Sequence, residues 1–342
     1  MSFKFSSKLK MIRNFKYLIL SILNIIAILL IVFISLGAAK PDSQIAIKDK
    51  TMSTYIGQNM DLGMVLYYSQ VDNYIDLLLK NGFTELRIDI PDYQNTSWLA
   101  QSKAAVIRAV AKGAKVIWGV SSNSYNNPSY TITDSNWPAF RQAILDAAKW
   151  AQDNGVYEFQ IGNEEEYHCD RWNPNATMKP SQLITNLKSV AADAQVIFTN
   201  GKISYSCAHS FIPDWISEGK GDIDILASNV YMGGSSTQDP FNDDYKTEIA
   251  NLVNAFGVDG TYLTEFNLSY LNINNYSTDE NKQAEAVNEM VTYINASGMK
   301  RAFWYAWEND EFGALKSDGT YRLLWNILTS INSKNAPLQN QS

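Results

Sequence analysis

The sequence is poor in the residues that most often carry cofactor and metal chemistry. In 342 residues it has only two cysteines, Cys169 and Cys207, and two histidines, His168 and His209. It contains no GxxxxGK[ST] phosphate loop, no GxGxxG after a strand, no HExxH and no GxSxG elbow. P-loop, dinucleotide, zincin and serine-elbow chemistries are thereby excluded, and neither a cofactor nor a resident metal is expected. Low-complexity tracts and an obvious second domain are also missing. With 46% hydrophobic and 18% charged residues the chain can bury a substantial core.

Positive charge is scarce outside the first 40 residues. That segment holds Lys4, Lys8, Lys10, Arg13, Lys16 and Lys40 and no acid, and removing those six charges from the net −7 leaves −13 on residues 41–342. A nucleic-acid partner is excluded on that balance; a neutral polar ligand suits it. Between the basic residues 1–16 and a short polar linker, 40–53, lies the apolar run Tyr17–Leu36, without a charge. About twenty such residues suffice to cross a bilayer. With Gly37-Ala38-Ala39 following, the segment 17–39 reads either as a transmembrane anchor or as a cleaved signal peptide. Both place the rest of the chain outside the cytoplasm, on the membrane or secreted.

From residue 54 to 335 short apolar runs alternate with amphipathic segments of helical period, ahead of a polar tail, 336–342. Strands are expected at 55–60, 84–90, 115–120, 157–162, 202–207, 223–230, 261–265 and 301–307. Helices are expected at 69–81, 97–112, 137–154, 181–198, 244–256, 278–297 and 321–333. Several helices end in a glycine suited to a left-handed C-cap: Gly82, Gly113 and Gly155. Repeated βα units predict an α/β fold, a (β/α)8 TIM barrel forming one catalytic domain after the N-terminal segment, with a doubly wound open sheet as the alternative.

In such a barrel, polar groups at the C-terminal strand ends share one bowl. Glu164, in FQIGNEEEYH, ends the fourth strand, and Glu265, in YLTEFN, ends the seventh. Two carboxylates across a bowl suit glycosidic bond cleavage, one as proton donor and the other as nucleophile or base. GNE on strand four and TEF on strand seven resemble the catalytic strand ends of glycoside hydrolase clan A. That resemblance implies Glu164 as acid/base and Glu265 as nucleophile, a carboxyl separation of about 5 to 5.5 Å and retention of configuration. It extends to Arg87 in ELRIDI, Tyr231 in ASNVYMGG and Trp307 in FWYAWEND, as substrate-binding partners around the nucleophile and under the sugar. Asn163 would hold the sugar 2-hydroxyl. The family 5 cellulase histidines of strands three and six are replaced here by VIWGVSSNS and SNVY, so the resemblance stops at the clan.

The resemblance implies a retaining glycosidase with a poly- or oligosaccharide substrate, the N-terminal segment implies its export, and a monomer is expected. A carbohydrate-binding barrel without catalysis and an envelope-remodelling transglycosidase are the other readings. Glu165 and Glu166 read as the solvated start of a loop. Trp118, Tyr125, Tyr167, Trp172, Trp304 and Tyr305 read mainly as core, and Trp307 as the stacking platform. Cys169 and Cys207 follow neighbouring strands, so a disulfide between them is expected, with a zinc site that adds His168 and His209 as its rival.

Overall fold

A computed structural model describes residues 60–122, 132–169, 176–232, 244–268, 280–308 and 313–333. The segment 17–39, the linker and the polar tail lie outside them, as do Tyr125 and Trp172. Among the described residues no helix is long and apolar enough to cross a membrane.

Eight parallel strands close into a barrel in chain order. They are β1 (Asp61–Leu66), β2 (Glu85–Ile88), β3 (Lys115–Gly119), β4 (Glu158–Asn163), β5 (Lys202–Ala208), β6 (Ile225–Tyr231), β7 (Leu263–Asn267) and β8 (Arg301–Trp304). The helices are α1 (Val71–Lys80), α2 (Thr96–Ala111), α3 (Trp137–Asp153), α4 (Pro180–Ile197), α5 (Ile212–Glu218), α6 (Asp244–Phe256), α7 (Glu280–Ala296) and α8 (Leu324–Asn332). The open-sheet alternative is thus excluded. Gly82, Gly113 and Gly155 end α1, α2 and α3 at φ of 83°, 88° and 72°, where a side chain would clash with its own backbone.

Two elements differ from the sequence expectation. The first strand lies at Asp61–Leu66, not at 55–60. Asp61 and Gly63 give it a turn-like composition, yet a Cβ on Gly63 would stand 2.2 Å from Phe303 on the partner strand β8, so only glycine fits. The unexpected helix is α5, seven residues long and too short to show a period.

Strand alternation sorts the barrel interior into layers. At the N-terminal end Arg301 donates to Glu85 Oε2 and to Glu158 Oε2, both at 2.7 Å, and Tyr262 hydrogen-bonds Glu158. This plug of charge is closed by pairing and faces away from the bowl. The next layer holds Arg87, Gln160, Ser206, Asn229 and Thr264. Outside the barrel, apolar residues such as Leu86, Phe159 and Ile161 are fully buried in the core that also takes in the helices.

Both carboxylate-bearing strands break their alternation. From Gln160 to Asn163 β4 advances three residues while β5 advances two, from Ser204 to Ser206. From Leu263 to Glu265 β7 advances two residues while β6 advances one, from Ser228 to Asn229, and β7 also gains a residue on β8 before Phe266. Each strand therefore carries one extra residue, a bulge of the kind that re-aims a side chain. Below the bulges the inward residues are Glu158, Gln160, Tyr262 and Thr264; above them they are Asn163 and Glu265.

Candidate active site

The site is built around one guanidinium. Arg87, 2% exposed, rises from β2 and donates from Nε to Gln160 Oε1 (3.0 Å), from Nη1 to Glu265 Oε1 (2.7 Å) and from Nη2 to Asn163 Oδ1 (2.8 Å). A planar fork with several fixed donors can hold two strand ends at once, which an ammonium cannot. Glu265, 8% exposed, also accepts from the Tyr231 hydroxyl at its other oxygen. Asn163 Oδ1 accepts a second, longer bond from Asn229 Nδ2 at 3.4 Å. Its carbonyl end is therefore occupied, and the amide N–H groups are left to donate toward a ligand.

Glu164 sits one residue past β4 with φ 53° and ψ 34°. Among the described residues it is the one non-glycine with positive φ, a conformation that costs energy and persists only where its surroundings impose it. Burial pushes its carboxyl up to about 8, and the negative charge of Glu265 pushes in the same direction; a hydrogen bond from Asn229 and the charge of Arg87 act against them. Together these forces favour the protonated form of Glu164, next to Glu265, which Arg87 and Tyr231 hydrogen-bond.

Glu165 and Glu166 are not solvated: both are fully buried. Glu165 accepts from Ser121 Oγ (2.8 Å), from the backbone and hydroxyl of Ser122, and from Asn163 N (3.1 Å). Its own N–H donates to Tyr205 Oη at 3.0 Å, and that hydroxyl in turn donates to Glu166. Glu166 also accepts from Trp215 Nε1 at 2.6 Å, and burial lifts its carboxyl to about 7. The two side chains tie the end of β3, strand β5 and helix α5 to the turn that holds Glu164. This clamp supplies the surroundings that impose the left-handed backbone.

Two other expectations are corrected. Trp307 is fully buried, packed against Tyr74, Tyr321 and Trp325 at centroid distances of 5.3, 6.1 and 4.9 Å, so its faces are covered by protein rather than offered to a sugar. Tyr305, two residues earlier, is the aromatic of this segment that lines the bowl. Cys169 and Cys207 are buried and are not joined in a disulfide. Cys207 lies within β5 rather than on a loop, and alternation with the inward Ser206 turns it toward the helices. His209, a ligand in the rival zinc reading, pairs through Nδ1 with Glu248 at 2.9 Å.

A cavity of about 360 Å³ opens in the bowl, lined by Val65, Tyr67, Arg87, Asp89, Ile90, Trp98, Ser121, Asn163, Glu265 and Tyr305. Sequence reading missed Asn229, Tyr67, Asp89 and Trp98. For Asp89 a signal was present: in ELRIDI it lies two residues from Arg87 and so on the same face.

No family profile matches the sequence. No curated protein matches it either. The barrel is similar to solved structures, among them a GH113 β-1,4-mannanase, at 12% identity and TM-score 0.56 over 80% of this chain and 98% of that one. A β-glycosidase aligns at 11% identity and TM-score 0.60 over 84% of this chain and 99% of that one. A family 5 xyloglucanase from Paenibacillus pabuli aligns at 15% identity and TM-score 0.57 over 82% and 99%. At such identities the likeness is one of fold.

Proposed function

We propose that the protein is a retaining glycoside hydrolase of the clan A type, cleaving O-glycosidic bonds in a poly- or oligosaccharide by double displacement. The observation that carries this reading is the contrast in surroundings between two carboxyl groups at the ends of β4 and β7. Glu164 is held protonated by burial and by Glu265, while Glu265 is held by Arg87 and Tyr231. That is the division of labour a general acid and a nucleophile require.

In the first step Glu265 bonds to the anomeric carbon as the glycosidic bond breaks, and the Glu164 proton goes to the leaving oxygen. Ester formation removes the negative charge at Glu265, and with it one of the forces holding the Glu164 proton. Glu164 then takes a proton from water as the water oxygen displaces Glu265 from the sugar. The Asn163 amide, with its carbonyl end tied to Arg87, is suited to hold the 2-hydroxyl beside the reacting carbon. The mannanase, xyloglucanase and glycosidase barrels of similar fold support a carbohydrate substrate. In the same reading residues 17–39 bring the barrel out of the cytoplasm, as a lasting anchor or as a cleaved signal, and N-terminal sequencing of the mature protein separates the two.

The test is hydrolysis of mannan, xylan, xyloglucan, cellulose and galactan by the purified protein, with the anomer of the first product followed by NMR. Glu265→Gln should abolish cleavage and leave the circular-dichroism spectrum unchanged. An inverted product, or full turnover by that variant, overturns the reading.

A further inference from the structure

Asp89 and Trp98 line the cavity but have no part in the reaction sequence just described. Asp89 follows β2 on the face that carries Arg87, two residues further along, which places it roughly 7 Å nearer the mouth by the rise of a strand. Its carboxylate is 8% exposed, and each oxygen accepts one bond, Oδ1 from Tyr68 N and Oδ2 from Trp98 Nε1, both at 2.7 Å. A carboxylate offers about four acceptor sites, so capacity remains for a donor from the cavity.

Trp98 is fixed at two points. Asn95 Oδ1 caps the start of α2 by accepting from Trp98 N at 3.0 Å, and Asp89 holds the indole N–H. Its ring is partly exposed and it is the one tryptophan on the wall of this cavity among the described residues; Trp118, Trp304 and Trp307 are fully buried. An indole immobilised before a ligand arrives loses little freedom on binding and offers a flat apolar face suited to the C–H face of a sugar. Tyr67 and Tyr305, joined through their hydroxyls at 2.7 Å, also line the cavity, carried by the loops after β1 and β8.

We infer that Trp98, oriented by Asp89, is the stacking platform for the sugar unit adjoining the one at Glu265, and that Asp89 accepts a hydroxyl of that unit. The inference rests on the glycosidase reading and adds a second binding position, displaced toward the mouth on the β2 side. It makes the enzyme one that needs at least two linked sugars for tight binding.

Glu265→Gln protein, in which turnover is removed, serves as the background for calorimetric titration with cellotetraose, mannotetraose, xylotetraose and galactotetraose. For the tetraose that binds, adding Trp98→Ala should weaken affinity by about tenfold or more. Adding Trp98→Phe, which keeps an aromatic face without the N–H, should cost less than Trp98→Ala. Adding Asp89→Asn should also weaken binding, because an amide has one acceptor oxygen for two donors. The milder Trp98→Phe and Asp89→Asn substitutions keep the test open should the alanine variant fold poorly, as read from melting temperature. Affinity within twofold of the background for both Trp98 variants, with wild type cleaving the matching polysaccharide, overturns the inference alone. Failure of wild type to cleave any of the polysaccharides, with no tetraose bound, overturns the glycosidase reading and the inference with it.

Discussion

Arg87 Nη1 donates to Glu265 Oε1 at 2.7 Å in a bond that joins β2 to β7 across the barrel, 178 positions apart in sequence. The same guanidinium reaches Asn163 at the end of β4, so one side chain bridges the ends of β4 and β7. The site is assembled by a cation between two walls.

Arg87→Lys should therefore cost far more than the loss of one hydrogen bond. An ammonium can neutralise Glu265, but it cannot also reach Asn163 and Gln160 in the directions the fork supplies. A fall in kcat/KM of roughly 100-fold or more is expected, on the scale of removing a transition-state donor. Steady-state kinetics on the best polysaccharide measures it, and a loss below threefold contradicts the arrangement.

Activity should decline on the alkaline side as Glu164 loses its proton, with a midpoint near the value of about 8 that burial and Glu265 impose. Glu164→Gln should erase that limb. On polysaccharide the variant should lose a factor of roughly 10² to 10⁴. It should lose much less in the first step on a nitrophenyl glycoside, whose leaving group needs no proton. A pH–rate profile and a burst of nitrophenol check both points.

Glu166 makes the fold sensitive to pH in a definite direction. Its folded pKa is raised from 4.5 to about 7, so its ionised form is disfavoured and the cost appears as pH rises from about 4.5 through about 7. Fully expressed, the cost is on the order of 3 kcal/mol for this buried group, whose pKa moves from 4.5 to about 7. Melting temperature should be higher near pH 5 than near pH 8. Glu166→Gln, which keeps an acceptor for Trp215, should flatten that slope; an unchanged slope in the variant would show that the titration lies elsewhere.

Trp307→Ala should lower stability by about 3 to 5 kcal/mol, as large-to-small changes in a packed core do. Since its ring contacts are Tyr74, Tyr321 and Trp325, KM of the folded protein should stay within about twofold. Chemical denaturation and kinetics at low temperature separate stability from binding. A selective rise in KM would return the ring to the substrate.

The barrel was legible because its units are strongly periodic, and because Gly82, Gly113 and Gly155 stop helices for a backbone reason that depends on no partner. Glu164, Glu265, Arg87, Asn163 and Tyr231 were legible as polar residues at strand ends, and the structure ties them into one connected set through Arg87, Tyr231 and Asn229. What was not legible depends on tertiary neighbours. Glu165 and Glu166 look like surface residues until Ser121, Ser122, Tyr205 and Trp215 are brought against them from β3, β5 and α5. Trp307 shares with Trp98 the composition of a platform, and only the packing of α8 over one and the cavity beside the other tells them apart. Cys207 falls on the helix-facing side because it alternates with Ser206, whose inward direction is fixed by Asn229 and Thr264 on neighbouring strands.

The extra residues in β4 and β7 let each strand turn more side chains into the bowl than strict alternation allows. Parity decides which side chains look into the bowl, and each bulge flips that parity just before the residues that matter. Removing the extra residue from either strand would give a regular ladder in which Asn163 still stands opposite Ser206 and Glu265 opposite Asn229, so what the bulge in β7 adds is a second inward side chain, Thr264, directly beside Glu265. Two neighbouring residues of one strand thereby reach the same interior, Thr264 to Asn229 and Ser206 and Glu265 to Arg87 and Tyr231, a crowding that strict alternation would forbid.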